Sequence, residues 1–176
     1  MEVRASLGRL EALRYMQGRA MKPSPLSQLD GVIITPKRKI FDDRGGIYHM
    51  LRSDDAVFQA FGELYFSEIY PGVVKAWHLH RSMTLNYYLV RGAIRLALFD
   101  DRAGSSTRGS AQEIVLRPED PKLVTIPPGI WNGFKCLGAE SALLANCATE
   151  PHSKEEISYA PFDDPRFGYD WGGRNG

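Results

Sequence analysis

"GVVKAWHLHRSMTLNYYLVRG", residues 72–92, is the stretch on which the fold turns. It opens on the turn signal Pro71-Gly72 and closes on Arg91-Gly92. Between them run two segments rich in β-branched, aromatic and aliphatic residues, the pattern of consecutive strands. His78 and His80 stand two apart in the first segment. A step of two on a strand puts both side chains on one face. The pair suits either a metal site or proton transfer.

Outward from this stretch, from Val32 on, short apolar or alternating runs follow one another: "GVIITP", "GIYHML", "ELYFSEIY", "NYYLV", "AIRLALF", "QEIVL", "KLVTIP" and "ALLANCA". Turn signals separate them at 43–46, 104–106 and 127–129. Many short strands at regular spacing predict an antiparallel sandwich or barrel, hence an all-β domain. Only "DDAVFQAFG" (54–62) has a helical texture inside it. Before the barrel, Val3, Leu7, Leu10, Leu13 and Met16 recur at roughly helical spacing, and "KPSPLSQ" (22–28) breaks any helix. We therefore expect an N-terminal arm or short helix over 1–30 and the barrel with a C-terminal segment over 31–176.

Composition narrows the function classes. Twenty-two basic residues balance 21 acidic ones among 176, for a net charge of +1. That balance gives no general attraction to nucleic acid or to a membrane surface, so an anionic ligand would need local Arg and Lys. No apolar run reaches the 18 residues of a membrane span, and the N-terminus lacks the apolar core of a secretion signal. Cys136 and Cys147 lie in apolar segments and read as free thiols in a reducing cytosol. A cytoplasmic protein is expected.

The spacing Gly72-x5-His78-x-His80-x4-Leu85-x6-Gly92 resembles the first motif of the cupin barrels, and "IPPGIWNGF" (126–134) resembles their second. The resemblance implies a double-stranded β-helix, or jelly roll. It also implies a metal held by two His, a Glu and a third His. Here the Glu position holds Leu85 and the third His position holds Asn132. Leucine cannot ligate, and an amide is a weak ligand beside imidazole. No metal and no other cofactor are therefore expected.

A more specific likeness covers residues 31–171. In order, "DDRGGIY" (42–48), "GVVKAWHLH" (72–80), "DDRAGSSTRG" (100–109), "IPPGIWNGF" and "DDPRFGYDW" (163–171) resemble blocks of the dTDP-4-dehydrorhamnose 3,5-epimerase family, which are metal-free cupins. The resemblance implies an isomerase that removes a proton from carbon beside the ketone of a nucleotide-linked 4-keto-6-deoxy sugar. It places His78 on the catalytic base and Asp164 on the carboxylate that orients it. A neutral imidazole suits such a task. Arg44, Lys75, His80, Asn132 and His49 fall at or near substrate contacts.

The chain departs from the family elsewhere. The lysine near the enolate falls on Leu85, and the acid tyrosine falls near Ala145. Strand alternation makes Tyr87 the nearest phenol expected to face the cavity, so Tyr87 or His80 is the expected proton source. By the same alternation Lys75 should point away from its own cavity. Trp77 and Trp131 read as core, and Asp100 and Arg102 as stabilisers of their turn. A homodimer is expected from the resemblance. The alternatives left open are a non-catalytic sugar-nucleotide or carbohydrate binder, a 3,4-ketoisomerase and a metal-dependent cupin.

Overall fold

A computed structural model describes residues 28–172, so the reading of 1–20 as a helix or arm lies outside the described residues. Twelve strands follow in order: β1 (Ile33–Pro36), β2 (Lys39–Asp42), β3 (Gly45–Tyr48), β4 (Glu63–Ile69), β5 (Val74–His80), β6 (Leu85–Arg91), β7 (Ile94–Asp100), β8 (Ala111–Leu116), β9 (Lys122–Ile126), β10 (Ile130–Cys136), β11 (Ala142–Ala148) and β12 (Ile157–Tyr159). They form two five-stranded antiparallel sheets, β1-β9-β6-β11-β4 and β12-β5-β10-β7-β8, and a β2–β3 hairpin. This is the all-β jelly roll expected.

The interior follows from alternation. Leu85, Tyr87 and Leu89 of β6 meet Leu96 and Leu98 of β7, Val124 and Ile126 of β9, and Leu144 of β11 in one buried core. Leu85, in the place of a metal-ligating glutamate, is thus plain core. A second cluster gathers Val74, Trp77, Ala97 and Trp131 with Phe167 and Trp171 of the C-terminal segment. Trp77 stacks on Phe167 at 4.4 Å and its indole N–H donates to the Phe162 carbonyl. Large rings with a polar edge are placed this way when they serve as core.

The "DDRAGSSTRG" turn is built around buried Asp100. Its carboxylate accepts hydrogen bonds from Arg102, Ser105 and Thr107. Burial alone would raise its pKa, but these partners together hold it well below the usual carboxylate range.

Two expectations about local structure change. Residues 54–62 form turns, not a helix, with Asp55 N–H donating to the Arg52 carbonyl and Phe58 N–H to the Asp55 carbonyl. The segment is too short to repay helix nucleation. Lys37 instead claims Asp55 in an ion pair. The one described helix is a 3₁₀ turn, Pro165–Phe167.

The second change concerns β5. Against β10, Asn132 pairs with His78 but Phe134 pairs with Lys75, so three steps on β5 match two on β10. This bulge inserts a residue and flips the alternation. Lys75 therefore faces the same cavity as His78, contrary to simple parity. Gly133 sits opposite the bulge, where a Cβ would lie 2.3 Å from that of Ala76.

Candidate active site

The two sheets line a cavity of about 580 Å³. One wall carries Lys75, His78, His80 and Tyr159, from β5 and β12. The facing wall carries Glu63, Tyr65 and Ser67 of β4, Tyr87 of β6 and Asn146 of β11.

Three groups settle the protonation of His78. The Asn132 side-chain N–H donates to the His78 backbone carbonyl at 3.1 Å. Its amide oxygen must then face Tyr87, whose O–H donates to it at 3.0 Å. The phenol proton is thereby committed, so at 3.3 Å from His78 Nε2 the phenol oxygen can only accept. His78 therefore carries its proton on Nε2, and its lone pair is on Nδ1. Burial above all, and the charge of His80, push this imidazole's pKa down to about 3. The hydrogen bond with Asn132 opposes that shift and Lys75 adds slightly to it. At physiological pH the ring is neutral.

His80 is built differently. Its Nδ1 lies 2.5 Å from a carboxylate oxygen of Glu156, and both side chains are buried. The second Glu156 oxygen accepts from the backbone N–H groups of Ser82 and Met83. Burial pushes this carboxyl up, but those donors and His80 together hold it below the ordinary range, so it is ionised. An ionised carboxylate behind Nδ1 fixes the orientation of the ring.

Comparison with known proteins gives a consistent answer. The family model for dTDP-4-dehydrorhamnose 3,5-epimerase matches residues 27–175. The chain belongs to the dTDP-4-dehydrorhamnose 3,5-epimerase family. It is 35% identical over 134 residues to a probable low-salt glycan biosynthesis epimerase of Haloferax volcanii, covering 74% of this chain and 86% of that one. It is 29% identical over 145 residues to a spore coat polysaccharide biosynthesis protein of Bacillus subtilis, covering 81% and 96%. Among solved structures, a dTDP sugar isomerase of Desulfovibrio desulfuricans superposes with a TM-score of 0.80 at 39% identity, covering 84% of this chain and 94% of that one.

Within that epimerase family, the site differs from what the sequence blocks implied. His78, His80, Tyr87 and Lys75 reach one cavity, and Asn132 lies behind His78 and Tyr87. Asp164 does not hold His78. It caps the 3₁₀ turn, and its carboxylate accepts from the backbone and the guanidinium of Arg166. An Asp before Pro makes its own turn, and here that use excludes the other. Asn132 spends both ends of its amide within the protein, which corrects its reading as a substrate contact. Arg44 pairs with Asp42 at the tip of the exposed β2–β3 hairpin, and neither Arg44 nor His49 lines this cavity.

The carboxylate that does meet an imidazole, Glu156, was missed. It follows no motif and reaches His80 from 76 residues away. Tyr65 was missed as well, although alternation in "ELYFSEIY" puts Tyr65 and Ser67 on one face. Among the described residues no three His, Cys, Asp or Glu side chains converge as a metal site would require.

Proposed function

We propose that this protein is an isomerase acting on a nucleotide-linked 4-keto-6-deoxy sugar, in deoxysugar or polysaccharide synthesis. His78 Nδ1 takes the proton from ring carbon beside the ketone. His80, its Nδ1 held by Glu156, presents its other ring edge toward the oxygen on which the enolate charge develops. That takes over the part of the lysine replaced by Leu85. The observation that carries this reading is the pairing of two unlike imidazoles on β5: one neutral with its lone pair free, the other standing on a carboxylate. A low pKa makes His78 ready at any physiological pH, and the neighbouring enolate compensates the imidazolium it forms. Lys75, whose ammonium donates to Ser67 and to the Glu68 carbonyl, brings the positive charge that would meet an anionic part of the substrate. The kinship with glycan and spore-coat polysaccharide proteins supports the setting. We also propose a cytoplasmic homodimer as its working form.

Incubation with dTDP-4-keto-6-deoxyglucose in D₂O tests the chemistry. Deuterium is expected at ring carbon beside the ketone, read by NMR. Exchange at C3 and C5 marks double epimerisation. A 3-keto product carrying deuterium at C4 marks ketone migration, a reading favoured by the placement of both histidines on one wall. His78→Asn should slow exchange by ~10²-fold or more, the usual weight of a general base. No exchange by the wild-type protein rejects the enzyme and leaves a binder.

A further inference from the structure

Inverting a carbon centre needs a proton donor on the side opposite the base. The cavity supplies that side as a second wall from the other sheet. Three phenols line the cavity as a whole: Tyr65, Tyr87 and Tyr159. Tyr159 is on β12, paired directly beside His78 on the base's own sheet. Tyr87 has given its proton to Asn132 and its oxygen to His78 Nε2, with no room for a sugar carbon between. Tyr65 remains.

The proton of Tyr65 is free by a second closed chain of hydrogen bonds. The Asn86 backbone N–H donates to Asn146 Oδ1 at 3.0 Å, which fixes the orientation of that buried amide. Asn146 Nδ2 must then face Tyr65, and it donates to the phenol oxygen at 3.1 Å. Tyr65 is held as an acceptor, so its own O–H is left for the cavity. Asn86 is itself fixed, since its side chain donates to the Cys147 carbonyl and accepts from Thr125. Burial raises the phenol's pKa above its ordinary value, so it is protonated when the substrate arrives. Tyr65 is also 38% exposed, against 1% for Tyr87, so a phenolate there can recover a proton from solvent.

We propose that Tyr65 is the catalytic acid of this enzyme, delivering a proton to the face of the sugar opposite His78, with Asn146 as its positioning residue. The inference rests on the proton-abstraction reading above. In the step, His78 Nδ1 gains the carbon's proton and the C–H electron pair becomes the enolate double bond. The Tyr65 O–H bond then breaks, and the enolate carbon takes that proton on its other face as the ketone re-forms. The phenolate regains a proton from water, and His78 returns its own to water.

Tyr65→Phe separates the two halves of the reaction. In D₂O with dTDP-4-keto-6-deoxyglucose, the variant should keep deuterium exchange beside the ketone within about threefold of wild type. Formation of the inverted sugar should fall by ~10²–10⁴-fold. Undiminished inversion overturns the proposal, and so does an equal loss of exchange and inversion. Wild-type exchange without inversion overturns the role of Tyr65 alone, and no wild-type exchange overturns the abstraction reading with it. Asn146→Leu, which removes the holding N–H, should lower kcat for inversion more than exchange and leave KM within about twofold. A proportional loss of both would reduce Asn146 to a packing residue.

Discussion

Burial decides what His78 can do. An unfolded chain presents an imidazole with a pKa of about 6.5. In the folded barrel the same ring titrates near 3, because a charged form would be desolvated and would face His80. Between those values the unfolded chain binds the extra proton. The stability this ring contributes is therefore complete above pH 6.5 and is lost as pH falls through that value toward 3. Urea unfolding at a series of pH values should show the wild type losing stability faster than His78→Asn below pH 6.5. Parallel curves would mean the ring is wet. His78, His80 and Tyr87 were legible in the sequence because strand alternation is local. Glu156 and Tyr65 were not, because nothing local announces which side chain a second sheet or a distant loop will bring across. Asp164 was misread for the opposite reason: its motif position was clear, but its own turn takes the carboxylate first.

At the scale of the strand, the bulge in β5 puts Lys75 and His78 in one cavity. Alternation predicts the two on opposite faces, and only the register against β10 reveals the extra residue. Gly133 makes the bulge fit, since a methyl there would lie 2.3 Å from the Ala76 Cβ and 2.9 Å from its Cα. Gly133→Ala should destabilise the barrel by ~1–3 kcal/mol, the usual cost of overpacking. It should also lower turnover, because the strained segment carries the base. Adding Ala76→Gly should restore much of both in urea unfolding and in product formation. Absence of rescue would place the strain elsewhere. Most other strands were legible as short apolar runs between turns, and the Asp100 turn was legible from its polar residues. The β2 and β12 strands were not, being short, exposed and defined by their partners. The helical texture of 54–62 failed because about two and a half turns of amphipathicity cannot outbid an ion pair and local turns.

The whole barrel leaves apolar surface uncovered. In the β2–β3 hairpin, Ile40 and Ile47 stand directly opposite each other and both are more than half exposed. Phe41 and Tyr48 flank them, equally open. On β4, an edge strand, Leu64 and Phe66 face away from the cavity and are exposed too. An unpaired edge and an apolar hairpin are liabilities in a free monomer, and a symmetric second copy removes both at once. Arg44 at the hairpin tip is exposed and does not line its own chain's cavity, so a substrate contact by it would require the proposed second copy. Light scattering should therefore return twice the chain mass for the wild-type protein. Ile40→Lys with Ile47→Lys should return a monomer that still folds, because neither side chain is in the barrel core. If the hairpin also completes the partner's site, this variant should lose turnover mainly through a raised KM. A wild-type monomer with full activity would instead make the hairpin a surface for some other partner and leave each cavity sufficient alone.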